Sequence, residues 1–360
     1  MDAAGSRSGA GKASRRGDDA GRATGREPRI PLPSELRYSA FSVADARAAG
    51  VSRGRLRNRT EGRPFHGVRV PEVLSAPGEI DRLLGLHGAR DEFEALAERM
   101  RDLDRSYVPI MSAVQAFGGV SAARLCGFPL PLRLLRDPTV HVIVPKGRNP
   151  PRARGVSARS VPARFWSVHA LRGASIASPE LLYCLLARDL SVRELVQLGD
   201  ALVSEAGNYP GRTLPWALTS RERLAAAVDA WAGCAGAARL RAATGLLRDG
   251  VESPWETVTR LVLVESGYPE PAVNFQLMSG MRKIARLDLA DLRARIAYEY
   301  DGDGHRKDKR QWRLDVTRSR EIQGERWSHV RLTVADLEPA TGLETFTSYA
   351  HRLRAERLAG

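Results

Sequence analysis

Two short apolar runs near the C-terminal end each carry a carboxylate where strand alternation turns the side chain inward. They are Lys283-Ile-Ala-Arg-Leu-Asp288 and Ile296-Ala-Tyr-Glu299-Tyr-Asp301-Gly302, with His305 just beyond. A carboxylate in a strand is costly to bury unless something compensates its charge, and a divalent cation is a common compensation. Whatever this region folds into must bring a cation or a proton to those positions. The pattern points to metal-assisted chemistry on an anionic substrate.

The flanking residues predict how the runs are held. Ser253-Pro254-Trp-Glu256 opens a helix, with Ser253 as N-cap, Pro254 at the first helical position and Glu256 completing a capping box. Gly267-Tyr-Pro-Glu-Pro271 ends it. Three strands are then predicted over 272–277, 283–289 and 296–300, followed by a charged helix over 308–323, a strand over 330–334 and a helix over 343–358. The order αβββαβα fits a small mixed sheet flanked by helices.

Side chains two apart on a strand share a face, so Glu299 and Asp301 point the same way. If Asp288 faces that side on the neighbouring strand, three carboxylates converge, and Glu256 can reach the same point from the first helix. Like charges raise one another's pKa, and a bound Mg2+ or Mn2+ removes the conflict. Such an ion polarises a phosphoryl oxygen and activates water. His305 is a candidate general base or phosphate ligand.

Ser253-Pro-Trp-Glu256, Asp288, Glu299-Tyr-Asp-Gly302, His305, Trp312-x-x-Asp315-x-x-Arg318 and Val330-Arg-Leu-Thr333, taken in order, resemble the very-short-patch-repair (Vsr)-like endonuclease domain of the restriction-endonuclease-like, PD-(D/E)XK superfamily. The resemblance spans roughly residues 250–340. It implies metal-dependent cleavage of DNA phosphodiesters, with Asp288 and Glu299 as metal ligands and Glu256 as a supporting carboxylate; Asp301 is a catalytic candidate from its shared face with Glu299. Two positions depart from the pattern. The lysine expected two residues after Glu299 is Asp301, which leaves His305, Lys283, Lys307 or Arg318 to supply positive charge. Gly324-Glu-Arg-Trp327 stands where Gly-Trp is usual, implying a longer turn before the last strand.

The rest of the chain divides by composition. Residues 1–33 are small, polar and basic, and read as a disordered tail. Within 34–75, a short helix capped by Ser42, a turn at Gly50, a second helix carrying Arg53, Arg55, Arg57 and Arg59, and a hairpin containing Arg63 read as a winged helix-turn-helix that binds DNA. This order resembles the start of AbiEi-type antitoxin-like proteins. Residues 90–215 resemble the mixed α/β region that follows in that family, with a helix from Phe93, a strand at Val140–Val144 and two amphipathic helices over 178–200. His141 is expected on the outer face of that strand. Residues 216–248 read as a helical connector, and 249–358 as the nuclease domain. The expected fold class is therefore multidomain α/β.

Bulk properties set the remaining bounds. A net charge of +14, mostly from arginine, favours a polyanionic partner such as DNA, although a GC-rich genome also enriches arginine. No run approaches the roughly 18–20 apolar residues of a membrane helix, and a cytoplasmic location is the default. Cys126, Cys184 and Cys234 stand apart among apolar neighbours, without metal-ligand spacing. The leading expectation is a Mg2+-dependent endodeoxyribonuclease or nickase. The alternative is a non-catalytic, antitoxin-like DNA-binding regulator with an inactive nuclease fold, and an RNA-directed nuclease is a third reading. A homodimer and a cognate toxin are compatible with either of the first two.

Overall fold

Three groups of strands, separated by turn-rich stretches, build three sheets with helices packed on them, so the architecture is mixed α/β. The computed structural model describes residues 31–57, 61–74, 92–205, 209, 212, 214, 216–301, 309–338 and 342–360. Residues 1–30 of the predicted tail, Arg59, His305 and Lys307 lie outside the described residues. Among the described residues no helix is long and apolar enough to cross a membrane.

The first unit comprises β1 (Phe41–Ser42), α1 (Val43–Ala48), α2 (Arg53–Arg57) and β2 (Val68–Arg69). Ser42 caps α1, its Oγ accepting the Asp45 N–H at 3.0 Å. Gly50 turns the chain at a φ of +82°, which favours glycine. β1 and β2 pair antiparallel, and Gly62 bridges Val70. Leu36, Phe41, Ala46 and Leu56 bury a small core here. Phe65 and Val68 belong instead to the central core, where Phe65 meets Tyr107 edge-on at 5.2 Å.

The central unit runs through α3 (Glu92–Ser106), β3 (Ala116–Phe117), α4 (Gly119–Cys126), α5 (Leu132–Leu135), β4 (Val140–Pro145), β5 (Val156–Val161), β6 (Val168–Leu171), β7 (Ala174–Ala177), α6 (Pro179–Leu186) and α7 (Val192–Val203). Its sheet has the order β5-β4-β3-β7-β6, with β4–β5 and β3–β7 parallel. His141 does not stand free on the outer face. Its side chain is mostly buried beside Gly118 and Gly119 at the start of α4, with Nε2 3.6 Å from Asp137 Oδ2 and with Ser157 and Arg159 of the neighbouring β5 at its side.

Two further helices, α8 (Arg221–Ala230) and α9 (Ala237–Thr244), follow. The expected connector is part of the central core: Leu224, Val228, Leu240, Ala243 and Leu247 are buried with α6 and α7. Close packing is possible because α7 carries Gly199, where an added Cβ would fall 2.4 Å from Leu247 Cδ2.

The C-terminal unit comprises α10 (Pro254–Glu265), β8 (Ala272–Ser279), β9 (Arg282–Asp291), β10 (Ile296–Tyr300), α11 (Lys309–Gly324), β11 (Ser328–Leu332), α12 (Val334–Leu337) and α13 (Leu343–Ala359). The sheet order is β11-β10-β9-β8. β8–β9 and β9–β10 are antiparallel, while β10–β11 is parallel across the helical crossover α11. Ile296, Tyr298, Val330 and Leu332 face α10 and α13. Ala297 on the opposite face packs near Ile322 of α11 and Trp327. After Gly324 the chain turns with Arg326 in the left-handed region at φ 62°, and Trp327 then stacks on Phe275 at 5.7 Å.

Helix α10 is a wall common to two cores. Leu261 joins the central core, whereas Val262 and Leu263 join the C-terminal one. A fully buried ion pair clamps it: Arg260 Nη2 lies 3.2 Å from Asp200 Oδ2 of α7. Asp200 also accepts from Thr257 Oγ1 at 2.9 Å and from the Arg248 N–H at 2.8 Å, while Arg260 Nη1 donates to Glu270 at 2.8 Å. Removing one partner of a buried pair leaves the other charge stranded. Asp200→Ala is expected to cost about 3–5 kcal/mol in urea unfolding, whereas Arg193→Ala, which breaks the exposed pair with Glu265, is expected to cost under about 1 kcal/mol.

Candidate active site

The antiparallel register pairs Tyr298 with Leu289, and one step further along it Asp288 stands across from Glu299. The parallel register on the other side pairs Glu299 with Arg331 and Ala297 with His329. Adjacent paired residues share a face, so the α11 side of the sheet carries Asp288, Glu299, His329 and Arg331 together. Helix α11 lies over them and contributes Asp315 and Arg318. These residues, with Tyr300 and Asp301, line a pocket of about 190 Å³.

Within it, Arg318 Nη2 donates to Glu299 Oε1 at 2.7 Å and to the Arg286 carbonyl at 2.5 Å. His329 Nε2 lies 2.8 Å from Glu299 Oε2. Arg331 binds Asp301 Oδ2 at 2.8 Å and stands 3.8 Å from Asp315. Asp301 directly follows β10, its N–H donating to the Leu332 carbonyl at 2.7 Å. Asp315 and Arg318 thus meet partners on β10 and β11 rather than serving only as an ion pair along their own helix.

Glu256 approaches from the start of α10. Ser253 Oγ caps the Glu256 N–H at 3.2 Å as the sequence predicts, but the Glu256 carboxylate accepts from the Glu252 N–H at 2.9 Å, one residue before the cap. Beside it Trp255 stacks on Tyr300 at 4.8 Å, tying the helix start to the end of β10. A larger cavity of about 400 Å³ is lined in part by Pro254 and Trp255. Its lining is mostly apolar, and its Arg124 is committed to Asp104 at 2.8 Å, so the reactive groups belong to the smaller pocket.

Burial pushes the Asp288 carboxyl up, the Glu299 charge pushes it further, and Arg318 offsets part of the effect. Burial and the Asp288 charge push the Glu256 carboxyl up in turn, against the Glu252 N–H. Among the described residues no three Asp, Glu, His or Cys side chains already form a metal cage. The donor set nevertheless suits a divalent cation: Asp288 and Glu299 present hard oxygens, and the upward shift of the Asp288 carboxyl beside the Glu299 charge records a conflict that a cation relieves.

Of the predicted site residues, Asp288, Glu299, Asp301 and Arg318 share the pocket, and Glu256 lies close enough to feel the Asp288 charge. Lys283 is not brought to it, being exposed five residues up β9 from Asp288. In the first unit, Arg53 and Arg57 are exposed on α2, but Arg55 turns inward and pairs with the buried Glu61. Arg63 Nη2 donates to the Arg57 carbonyl at 2.6 Å. His329 and Arg331 were not among the predicted site residues. Their signal was period-two spacing on a strand whose alternate positions, Val330 and Leu332, are apolar.

Comparison of the chain with family models, with curated proteins and with solved structures finds no match.

Carboxyls whose pKa is raised on folding bind protons more tightly in the folded state, so the metal-free protein loses stability as pH rises. The window runs from the ordinary carboxylate range up to about pH 8. Asp288→Asn is expected to flatten that loss and to stabilise the metal-free protein at pH 8 by on the order of 1 kcal/mol, read by chemical denaturation from pH 4 to 8. An unchanged pH profile would mean that Asp288 is not under charge stress.

Proposed function

We propose that the chain is a divalent-metal-dependent DNA endonuclease or nickase. In this reading the C-terminal unit is a restriction-endonuclease-like domain of the Vsr-like kind, and the first unit is a winged helix-turn-helix that adds DNA affinity. The observation that carries it is the pairing of opposite chemistries in one pocket: Asp288 across from Glu299, with the guanidinium groups of Arg318 and Arg331 over the same floor. Carboxylates alone would suit many cation sites, but carboxylates beside two arginines suit a cation and a phosphate together.

Asp288 and Glu299 would hold the metal, with remaining positions left to water and a phosphate oxygen. The metal supplies Lewis acidity at phosphorus and lowers the pKa of bound water. Arg318 and Arg331, now on Glu299 and Asp301, would turn toward the phosphate as the cation takes over charge neutralisation of the carboxylates. They supply the positive charge that the missing lysine at position 301 would otherwise give. Glu256, whose carboxyl is pushed up by burial and by the Asp288 charge, can donate a hydrogen bond into the site while it holds its proton or give that proton up as the local charge changes. His305 remains the proposed general base or phosphate ligand. DNA would be met by the exposed Arg53 and Arg57 of α2, a short helix that offers few contacts of its own.

Plasmid cleavage tests the reading. With Mg2+ or Mn2+, wild type is expected to nick or linearise supercoiled DNA, and Asp288→Ala and Glu299→Ala to lose at least about 100-fold, as removal of principal charge-stabilising groups does. Equal activity in all three proteins would sink the site. Tight binding of the full chain to DNA with no cleavage of any form would favour the regulator. Separately, replacing Arg53 and Arg57 by Ala is expected to weaken binding and to reduce the slope of log K against log salt by about 2, roughly one unit per lost phosphate contact.

A further inference from the structure

His329 occupies a position that two carboxylates and two arginines do not explain. Its side chain is only 3% exposed. Nδ1 lies 3.0 Å from Ser319 Oγ of α11, which fixes the ring's orientation. Nε2 points into the pocket, 2.8 Å from Glu299 Oε2, but lies outside hydrogen-bond alignment and has no hydrogen-bond partner. A buried polar atom left this way calls for an explanation.

The geometry limits the choices. When Nδ1 gives its proton to Ser319 Oγ, Nε2 keeps a lone pair, and that lone pair faces a carboxylate oxygen. Two electron-rich atoms at 2.8 Å repel unless a positive centre stands beside both. A proton serves best on the line between them, where the alignment is poor. A cation seated off that line serves both atoms at once. Arg318 takes Glu299 Oε1 and leaves Oε2 open on the His329 side. Asp288, across the strand pair, brings a further oxygen to the same pocket. An imidazole with one nitrogen held by a neighbouring hydroxyl and the other aimed at carboxylates is in the arrangement that presents histidine to a metal.

We propose that His329 is a nitrogen ligand of the Asp288–Glu299 site and biases it from Mg2+ toward Mn2+ or Co2+. The inference rests on the metal-site reading above and extends it. Mg2+ favours oxygen donors and keeps its waters, whereas an imidazole nitrogen is a better ligand for later first-row ions. Ser319 is then a positioning residue, acting through the ring it orients.

Titration calorimetry of the full chain with MnCl2, CoCl2 and MgCl2, together with pulsed EPR of the Mn2+-loaded protein, tests this. Wild type is expected to bind Mn2+ and Co2+ at least tenfold more tightly than Mg2+. His329→Gln should lose about tenfold or more for Mn2+ and Co2+ while changing Mg2+ affinity less than about twofold. Nitrogen-14 modulation of the Mn2+ signal should be present in wild type and in His305→Gln, and absent in His329→Gln. If His329→Gln fails to fold, modulation that persists in His305→Gln still supports the ligand, and its absence there overturns it. Mn2+ binding that depends on Asp288 but shows no nitrogen coupling would make His329 an ion-pair partner of Glu299 only, overturning this inference and leaving the metal site standing. No binding of any of the three ions by wild type would overturn both.

Discussion

The buried contact between Arg260 and Asp200 is the point on which the arrangement turns. It fixes α10, the helix shared by the central and C-terminal cores, against α7, and does so from one turn beyond Glu256. Because α10 cannot slide, the Glu256 carboxyl is held where the Asp288 charge reaches it, and Trp255 is held on Tyr300. Replacing such a pair with apolar residues often costs little stability, whereas breaking it costs much. Its contribution is therefore to define one packing of the two cores, and with it the shape of the acidic pocket.

Inside that pocket, electrostatics and topology act together. A parallel β10–β11 pair joined by α11 places β11 beside the strand bearing Glu299 and lays α11 over the same face. The result is a mixed pocket: Asp288 and Glu299 in the middle, the Arg331 and Arg318 guanidinium groups around them, and His329 beside Glu299. Without a cation Arg318 pairs with Glu299 and Arg331 with Asp301, while Asp288 is left facing the Glu299 charge. On the proposed reading, a bound cation would free the guanidinium groups for an anion. Metal and phosphate binding would reinforce each other through this exchange of partners.

The C-terminal unit was legible because its signals are local. Ser253-Pro254 sets a helix start, Gly267 a stop, and Asp288 and Glu299 interrupt apolar strands, so the elements fall near their predicted bounds. The central sheet was not. Strand β5 reads Val-Ser-Ala-Arg-Ser-Val and β6 reads Val-His-Ala-Leu, half-exposed segments without clean alternation, and they become strands through pairing, β5 with β4 and β6 with β7 across a tight turn. The helices of the connector were legible, but their burial through Leu224, Val228, Leu240 and Leu247 was not, because it depends on packing such as the close approach of Leu247 to Gly199. Arg55 looked like a DNA-facing residue because the buried Glu61 that claims it is six positions away. His329 escaped because its role depends on register with Glu299 and on Ser319 from α11, neither of which a linear reading supplies.

Anomalous diffraction from crystals grown with Mn2+ puts the metal site to the most direct trial. A single Mn2+ peak within ligand distance of the Asp288 and Glu299 carboxylates is the expected result, with Arg318 turned away from Glu299. A pocket empty of Mn2+ at saturating concentration, with Arg318 still on Glu299, would contradict it.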